Sequence, residues 1–536
     1  MTDLRWYGWG YADKIFSFDQ HPDAWNFLRD ALALRGDESF PACDFDAIRA
    51  RAPRLTSAQL DALRHIVPET KTDTRTRVLR TYGKSYRDLI RLRRGEIANP
   101  PDAVVYPANE DQIARVLAFC AQANCALIPF GGEAGDERVT ITLDLARLNH
   151  VLALDEISQT ATAEAGILVP ELERALNARG FTLGSFPPAF EFSTLGGWLA
   201  TGGDDLAALI SGARVVTPRG IIEAGSASPL LPLFIASAGA LGVITRATTR
   251  IRRLPKAKND RAWLFQNFSA GVTALRVLAQ SGIVPAFARL LDENATRALG
   301  AFARRDESRG WKAWLEQFGL GFLAPRGYAF DQGAMMVLGF EDDAASAQAG
   351  QSVCKAYGAT DLGRGSADAW LRERYEMPDL RDALLDRGIL VDTLEIAAAW
   401  SNLEQLHKTL AAAIADASAQ TGSPAVVMAR VAPGDRDGAR VRVTFLARMA
   451  RGKEIEQAET IRRAAAECIV TNGGVASGRD QDALEMTIWR AVKNGLDPND
   501  VMNPGKWLVA ESSSVDAAIE YQERFWNLPT KETPNL

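Results

Sequence analysis

The chain has 536 residues, too many for one compact core, so two or three domains are expected. Hydrophobic residues make up 47% and charged residues 24%, a globular balance that excludes a disordered or fibrous chain. A net charge of −6 and a pI of about 5.6, with no basic stripe, argue against a nucleic-acid partner.

Five cysteines, Cys43, Cys120, Cys125, Cys354 and Cys468, are scattered without CxxC spacing. Reduced thiols in a cytoplasmic protein are therefore expected, and no metal site. The opening MTDLRWYGWGYADK lacks the basic-then-apolar run of a secretion signal. The longest apolar stretch, 230–245, is broken by proline, serine and glycine and falls short of the roughly 20 residues that span a bilayer. No spanning segment is expected, and peripheral membrane contact stays open.

Residues 1–99 read as a helical N-terminal region. SAQLDALRHI (57–66) starts on a serine and spaces its apolar residues as one helix face. The cluster Arg87, Arg91, Arg93 and Arg94 reads equally as a solvated helix face or as a contact for an anionic substrate or a neighbouring domain. From Pro100 the pattern changes. AVVYP, EDQIARVLAFCAQAN and ALIPFGG give strand, helix, strand; TITLDLARLN, VLALDE and TATAEAGI follow as short strands, then the helix LVPELERALNARG. RVVTPRGIIEAG reads as a hairpin turning at Pro-Arg-Gly, and GVITRATTRIRRLP as an alternating strand. These make one α+β domain over 100–255. A second α/β segment covers 256–510, with helices near 402–419 and 455–471 and strands at AMMVLGFE and RVRVTFLARM, before a polar tail over 511–536.

A set of motifs runs in order along the whole chain: Arg5-Trp6-Tyr7-Gly8-Trp9-Gly10, Thr81-Tyr82-Gly83-Lys84-Ser85-Tyr86-Arg87-Asp88-Leu89, Arg93-Arg94-Gly95, Pro101-Asp102 and Val105-Tyr106-Pro107. Phe190-Glu191-Phe192-Ser193-Thr194-Leu195-Gly196-Gly197-Trp198, Asp392-Thr393-Leu394-Glu395, Trp400-Ser401 and Asn503-Pro504-Gly505-Lys506 complete it. In these the chain resembles the alkyldihydroxyacetonephosphate synthase family, within the vanillyl-alcohol-oxidase group of FAD proteins. The resemblance implies a PCMH-type FAD-binding domain over 100–255, an α/β cap over 256–510, and commonly a homodimer. It also implies where FAD would lie: along Pro129, Gly131, Gly132, Ser193, Thr194, Gly196, Gly197, Trp198, Thr201, Gly242, Val243 and Ile244.

The same comparison exposes departures. A flavin diphosphate is held by backbone N–H groups of glycine-rich loops, which must lack side chains to approach closely. The family's first loop carries three glycines followed by threonine and serine. Here Pro129-Phe130-Gly131-Gly132 runs into Glu133, Asp136 and Glu137, and the loop is short. Carboxylates at contact range from a diphosphate repel it by roughly several kcal/mol in a partly desolvated site. The second loop is cut to Gly202-Gly203-Asp204-Asp205-Leu206 before the pattern resumes at Val216-Thr217-Pro218. The third, normally Gly-Ser-Glu-Gly-Thr, reads Ala236-Ser237-Ala238-Gly239-Ala240, and the link between Gly225 and Leu231 is trimmed. FAD is thus the cofactor implied, and the loops predict that it is absent or weakly held.

The family's acid–base groups are missing too. Imidazole suits such work because it titrates near neutrality. Of the family's histidine-rich strand only Asp437-Gly438-Ala439 remains; Arg430 and Pro433 stand at two histidine positions and Asp435 at a tyrosine. Asn472-Gly473-Gly474 runs into Val475-Ala476-Ser477 without the histidine triplet that follows in the family. Asp379 stands where a family tyrosine precedes Leu380-Arg381-Asp382. The chain's histidines, His21, His65, His150 and His407, lie outside these motifs.

Three readings follow. The first is a flavin-free, non-catalytic homologue serving as a binding or assembly partner in ether-lipid or related metabolism, as a homodimer or beside an active paralogue. It expects side chains such as Leu206 and Leu209 to fill the flavin channel. The second is an FAD-dependent synthase or FAD-linked oxidase with altered loops. The third uses the vacated cleft for other chemistry on a lipid-related small molecule, with Arg372, Arg381, Asp382, Arg430 and Asp435 at hand; Arg381 and Arg430 are its substrate candidates.

Overall fold

The computed structural model describes residues 4–129, 138–187, 189–202, 206–302, 332–373, 377–476 and 483–505. The Ser57–Ile66 helix forms as its spacing predicts, but its cap is Thr56, which closes a capping box with Gln59. The first sheet joins β1 (Thr70–Lys71), β2 (Ala103–Val105), β3 (Ala126–Pro129) and β4 (Thr140–Leu143) in the order β1-β2-β4-β3, with β2 and β3 parallel to β4. The Glu110–Ala123 helix crosses over between β2 and β3, capped by Asn109 and ended by Asn124 at φ 50°.

The second sheet is antiparallel: β5 (Val151–Asp155), β6 (Thr160–Glu164), β8 (Ile210–Thr217), β9 (Gly220–Gly225) and β10 (Val243–Arg250), ordered β5-β6-β10-β8-β9. Between them β7 (Phe181–Thr182) pairs with β11 (Arg252–Arg253). The Val169–Asn177 and Leu195–Thr201 helices bury Leu172, Leu176, Trp198 and Leu199 in a core shared with β6, β8 and β10.

Among the described residues the cap forms one eight-stranded sheet. Its strands are β12 (Lys258–Phe265), β13 (Phe287–Leu291), β14 (Ala334–Glu341), β15 (Thr360–Leu362), β16 (Ile389–Ala399), β17 (Ala425–Pro433), β18 (Gly438–Arg448) and β19 (Val475–Ala476), in the order β15-β12-β14-β13-β17-β18-β16-β19. The Phe268–Gln280, Leu403–Gln420 and Glu454–Thr471 helices bury one face of it, where Phe445, Leu406, Leu275 and Ile461 meet.

The N-terminal region has no core of its own. Its β1 extends the first sheet, while Trp6, Trp9, Leu28, Leu89 and Ile90 pack into the cap's core. The helical region expected over 1–99 is therefore divided between the two domains, because its amphipathic helices are too short to bury their apolar faces against one another.

Asp102 fastens this segment to the first sheet. Its fully buried carboxylate accepts from Arg51, from Arg54 Nη2 at 3.0 Å and from the Thr140 N–H at 2.8 Å. Burial alone would raise its pKa; the two guanidiniums and the N–H groups of Thr140 and Arg54 overcome that and hold it at about 2. A carboxyl depressed below its unfolded value stabilises the fold above that value and loses the contribution as pH falls through the folded one. Asp102→Asn should therefore cost about 2 kcal/mol at neutral pH and progressively less below pH 4, as read by urea unfolding at several pH values.

Candidate functional site

On the FAD-domain side the helix Leu195–Thr201 starts at Thr194, whose hydroxyl accepts the Gly197 N–H at 3.1 Å. Gly196 is required for packing: a Cβ there would lie 2.7 Å from the Ala165 Cβ and 3.0 Å from its carbonyl oxygen. That carbonyl accepts the Gly196 N–H at 2.7 Å. The Ser193 carbonyl accepts from Val169, Thr201 Oγ1 donates to the Gly197 carbonyl at 2.8 Å, and Trp198 is buried. Gly242 opens β10 at φ 156°, and Val243 and Ile244 are buried. Pro129 ends β3; Gly131, Gly132 and the acidic residues after them lie outside the described residues, as do 203–205.

The third loop folds back onto this helix. Ala236 and Ala238 donate their N–H groups to the Leu199 and Ala200 carbonyls, both at 2.8 Å, and Ala240 donates to Ser237 at 2.9 Å. Asn503 Nδ2 and the buried Lys493 Nζ hold the Ala238 and Ala240 carbonyls at 2.7 and 3.0 Å. A Cβ on Gly239 would lie 2.8 Å from Pro129 Cγ, so the third loop sits directly against the start of the first. Leu206 and Leu209 are 1% and 7% exposed and share a core with Trp198, Phe234, Ile244 and Trp489. Ala236 keeps a left-handed φ of 58°, a conformation glycine adopts without strain. Ala236→Gly should raise stability by about 1 kcal/mol in denaturant unfolding, and leave flavin uptake unchanged.

The cap places its charged residues on two opposite faces. On the helix-covered face Asp392 receives Arg462 Nε and Nη2 at 2.5 and 2.7 Å, with both side chains at 2% exposure or less. Arg381 lies beside this pair, its Nη2 3.4 Å from the Val391 carbonyl. Burial lowers its pKa, and Asp392 and Asp382 work against that shift. Asp382 accepts Arg5 Nη1 and the Trp9 N–H, both at 2.9 Å, and a Cβ on Gly8 would strike it. Asp379 is 3.6 Å from Lys14 Nζ and would meet a Cβ on Gly10, so its carboxylate seats the N-terminal motif. Lys14 also faces Glu191 at 3.7 Å, and Trp9 and Tyr11 pack on Phe192. The N-terminal segment thus bridges the FAD-domain motif and the cap.

Arg430 faces the other way. Strand pairing sets Leu264, Met335, Leu291, Arg430, Arg442 and Glu395 side by side across six strands. Glu395 pairs with Arg442 in this row. Pro433 ends β17, and Asp435 is exposed in the turn to β18. The two substrate candidates, Arg381 and Arg430, therefore lie on opposite faces and form no common site. Arg372 is in the Gly363–Glu373 helix. Arg440 and Arg442 escaped the sequence reading, although the alternation of RVRVTFLARM carried the signal. Of the histidines, His21 is within 3.0 Å of the Ser17 carbonyl, His65 is exposed and His150 pairs with Glu164 at 2.8 Å, whereas His407 lies 3.0 Å from Asp292 Oδ2, which also accepts the Ala429 N–H of β17 at 2.8 Å.

Comparison with known proteins places this geometry. The family model described as an FAD binding domain matches residues 101–225, and that of the FAD linked oxidases, C-terminal domain, matches 254–507. The alkyldihydroxyacetonephosphate synthase of Trypanosoma brucei brucei is 28% identical over 98% of this chain and 95% of its own length. That of Dictyostelium discoideum is 27% identical over 94% and 93%. A solved alkyldihydroxyacetonephosphate synthase superposes with a TM-score of 0.82 at 26% identity, covering 94% of this chain and 98% of that one. The chain belongs to the alkyldihydroxyacetonephosphate synthase family. The N-terminal motif thus joins the cap, through Arg5 and Trp9 on Asp382, to Phe192 of the other domain, and FAD is the cofactor associated with domains of these two families. Among the described residues no cluster of His, Cys, Asp or Glu could hold a metal ion, and no helix is long and apolar enough to cross a membrane.

Proposed function

We propose that this member of the alkyldihydroxyacetonephosphate synthase family works without flavin and without the synthase reaction, as a binding or assembly partner in lipid metabolism. The observation that carries this reading is the third loop: the N–H groups of Ala236, Ala238 and Ala240 are all bonded to protein carbonyls. A diphosphate needs such donors aimed at it. The buried Lys493 is likewise held by carbonyls and carboxylates. Leu206 and Leu209 fill space next to Trp198, and in sequence Glu133, Asp136 and Glu137 follow Gly131-Gly132 where the family resemblance implies a third glycine and hydroxyl residues. The residues present do not fit FAD in the family's pose.

The cap supports the same conclusion. Arg430 and Pro433 cannot exchange a proton near neutrality, since a guanidinium stays charged and proline has no titratable group. In this reading the protein is cytoplasmic, in peripheral contact with membranes, and dimeric with itself or with an active paralogue.

The test is the visible spectrum of the purified protein before and after incubation with excess FAD and desalting. A colourless protein that takes up nothing is the expected result. A flavin band that survives gel filtration overturns it and supports an FAD-dependent synthase or oxidase with altered loops.

A further inference from the structure

Arg77, Arg93 and Lys493 show how this fold holds a buried cation. Arg77 Nε and Nη2 donate to the Pro101 and Arg51 carbonyls at 2.6 and 2.8 Å. Arg93 pairs with Asp386 and donates to the Phe40 carbonyl at 3.2 Å, and Lys493 Nζ donates to the Ala240 and Met502 carbonyls. Lys84 departs from this rule. It belongs to the Thr81–Leu89 motif and lies between the helices Thr74–Leu79 and Tyr86–Arg94, where the N-terminal region packs into the cap's core. Among the described residues no carboxylate is within ion-pair distance of its Nζ, and no acceptor is within hydrogen-bond distance.

Two carboxylates come near without binding it. Asp88 closes the capping box of the following helix, where it accepts the Ser85 N–H at 3.3 Å. Asp382 is occupied by Arg5 Nη1 and the Trp9 N–H. Burial is the largest influence on the Lys84 ammonium and lowers its pKa to about 8; Asp382 and Asp88 oppose the shift, and Arg80 adds to it. The side chain nevertheless keeps partial exposure. A desolvated amine that is about one-fifth uncharged at pH 7.4 is a nucleophile, whereas an ordinary lysine is almost wholly protonated there.

The two carboxylates also select the electrophile. A carbamate formed from carbon dioxide would place a new anion beside them. An imine can take up a proton, and the iminium keeps a cation where Asp382 and Asp88 favour one. We propose that Lys84 captures a small uncharged aldehyde as a reversible imine. The amine nitrogen bonds to the carbonyl carbon, the carbonyl oxygen leaves as water with both amine protons, and hydrolysis restores the two partners. The groups involved belong to the N-terminal region and the cap, so the site stands whether or not flavin binds.

The full chain incubated with propionaldehyde and cyanoborohydride, which reduces an imine to a stable secondary amine, tests this by peptide mapping. At pH 7.4 Lys84 is expected to be labelled at least about tenfold faster than the exposed Lys256 and Lys258. Its rate should rise through about pH 8 and level off, while theirs continue to climb toward pH 10. Urea unfolding should abolish the preference, because the fold and not the local sequence creates it. Lys84→Met, which suits a desolvated position, should lose the fast phase in intact-mass measurements and keep the slow labelling unchanged. No label at Lys84, labelling no faster than at Lys256, or a preference that survives urea overturns the proposal.

Discussion

Arg462→Leu is expected to lower the free energy of unfolding by about 3–5 kcal/mol, because it leaves the Asp392 carboxylate buried without its bidentate partner. The pair itself is weak evidence of stabilisation, since desolvating two charges offsets much of their attraction. Its removal from one side only is what costs. Asp392 also serves Arg381, which lies against it under the same layer of side chains. Asp392→Leu should therefore be worse than Arg462→Leu, because it strands two buried guanidiniums where the other strands one carboxylate. The double variant Asp392→Leu/Arg462→Met should recover only part of the loss of Asp392→Leu, because Arg381 still lacks the Asp392 carboxylate. Urea unfolding of the four proteins decides it. Additive single costs in the double variant would show that the two charges do not act as a unit.

This cluster also explains what the sequence could and could not reveal. Asp392-Thr393-Leu394-Glu395 reads as one motif, yet its two carboxylates have separate tasks. In a strand residues three apart point to opposite faces. Asp392 thus turns toward the helices and Arg462, and Glu395 toward the open face and Arg442. Arg381 and Arg430 look equally suitable as substrate contacts when only chain order is known. Their separation depends on the pairing of β16 with β18 and β18 with β17, which is a non-local fact. The strands and helices themselves were legible: AMMVLGFE matches β14 residue for residue, and the helices near 402–419 and 455–471 appear as Leu403–Gln420 and Glu454–Thr471. Hydrophobic periodicity fixes these because each buries one regular face.

Less legible was the reason for the glycines in Phe190–Trp198. From sequence alone they suggest a cofactor cradle; in the fold Gly196 clears Ala165 and lets a helix lie on the sheet. Nor does any local signal mark Lys493 as important. It sits in an ordinary amphipathic helix, Ala483–Leu496, and its partners come from residues far along the chain in one direction and just beyond the helix in the other. Only the assembled structure brings them together.

Lys493→Met is accordingly the second substitution expected to have a large effect. Its buried Nζ donates to the Ala240 carbonyl at 3.0 Å and the Met502 carbonyl at 2.7 Å, and pairs with Asp497 and with Asp500 at 3.1 Å. Asp497 in turn accepts the N–H groups of Val501 and Met502 at 2.9 and 2.7 Å. Met502 bridges to Leu127 on β3, and Asn503 donates its N–H to the Leu127 carbonyl at 2.8 Å. One ammonium therefore ties the third loop, the first-sheet edge and residues 497–503 into a single unit. Removing it leaves two buried carbonyls and a fully buried carboxylate short of a donor, at a cost of about 3 kcal/mol or more. The diagnostic readout is amide hydrogen exchange. Local opening should speed exchange at Ala238 and Ala240 together with Leu127 and Asn503, since the lysine joins both sides. Faster exchange confined to 497–503 would mean that the third loop holds its shape through the Leu195–Thr201 helix alone. In that case the inward turn of its N–H groups would be a property of the loop's own sequence, and Ala236 rather than Lys493 would be the residue that closes it.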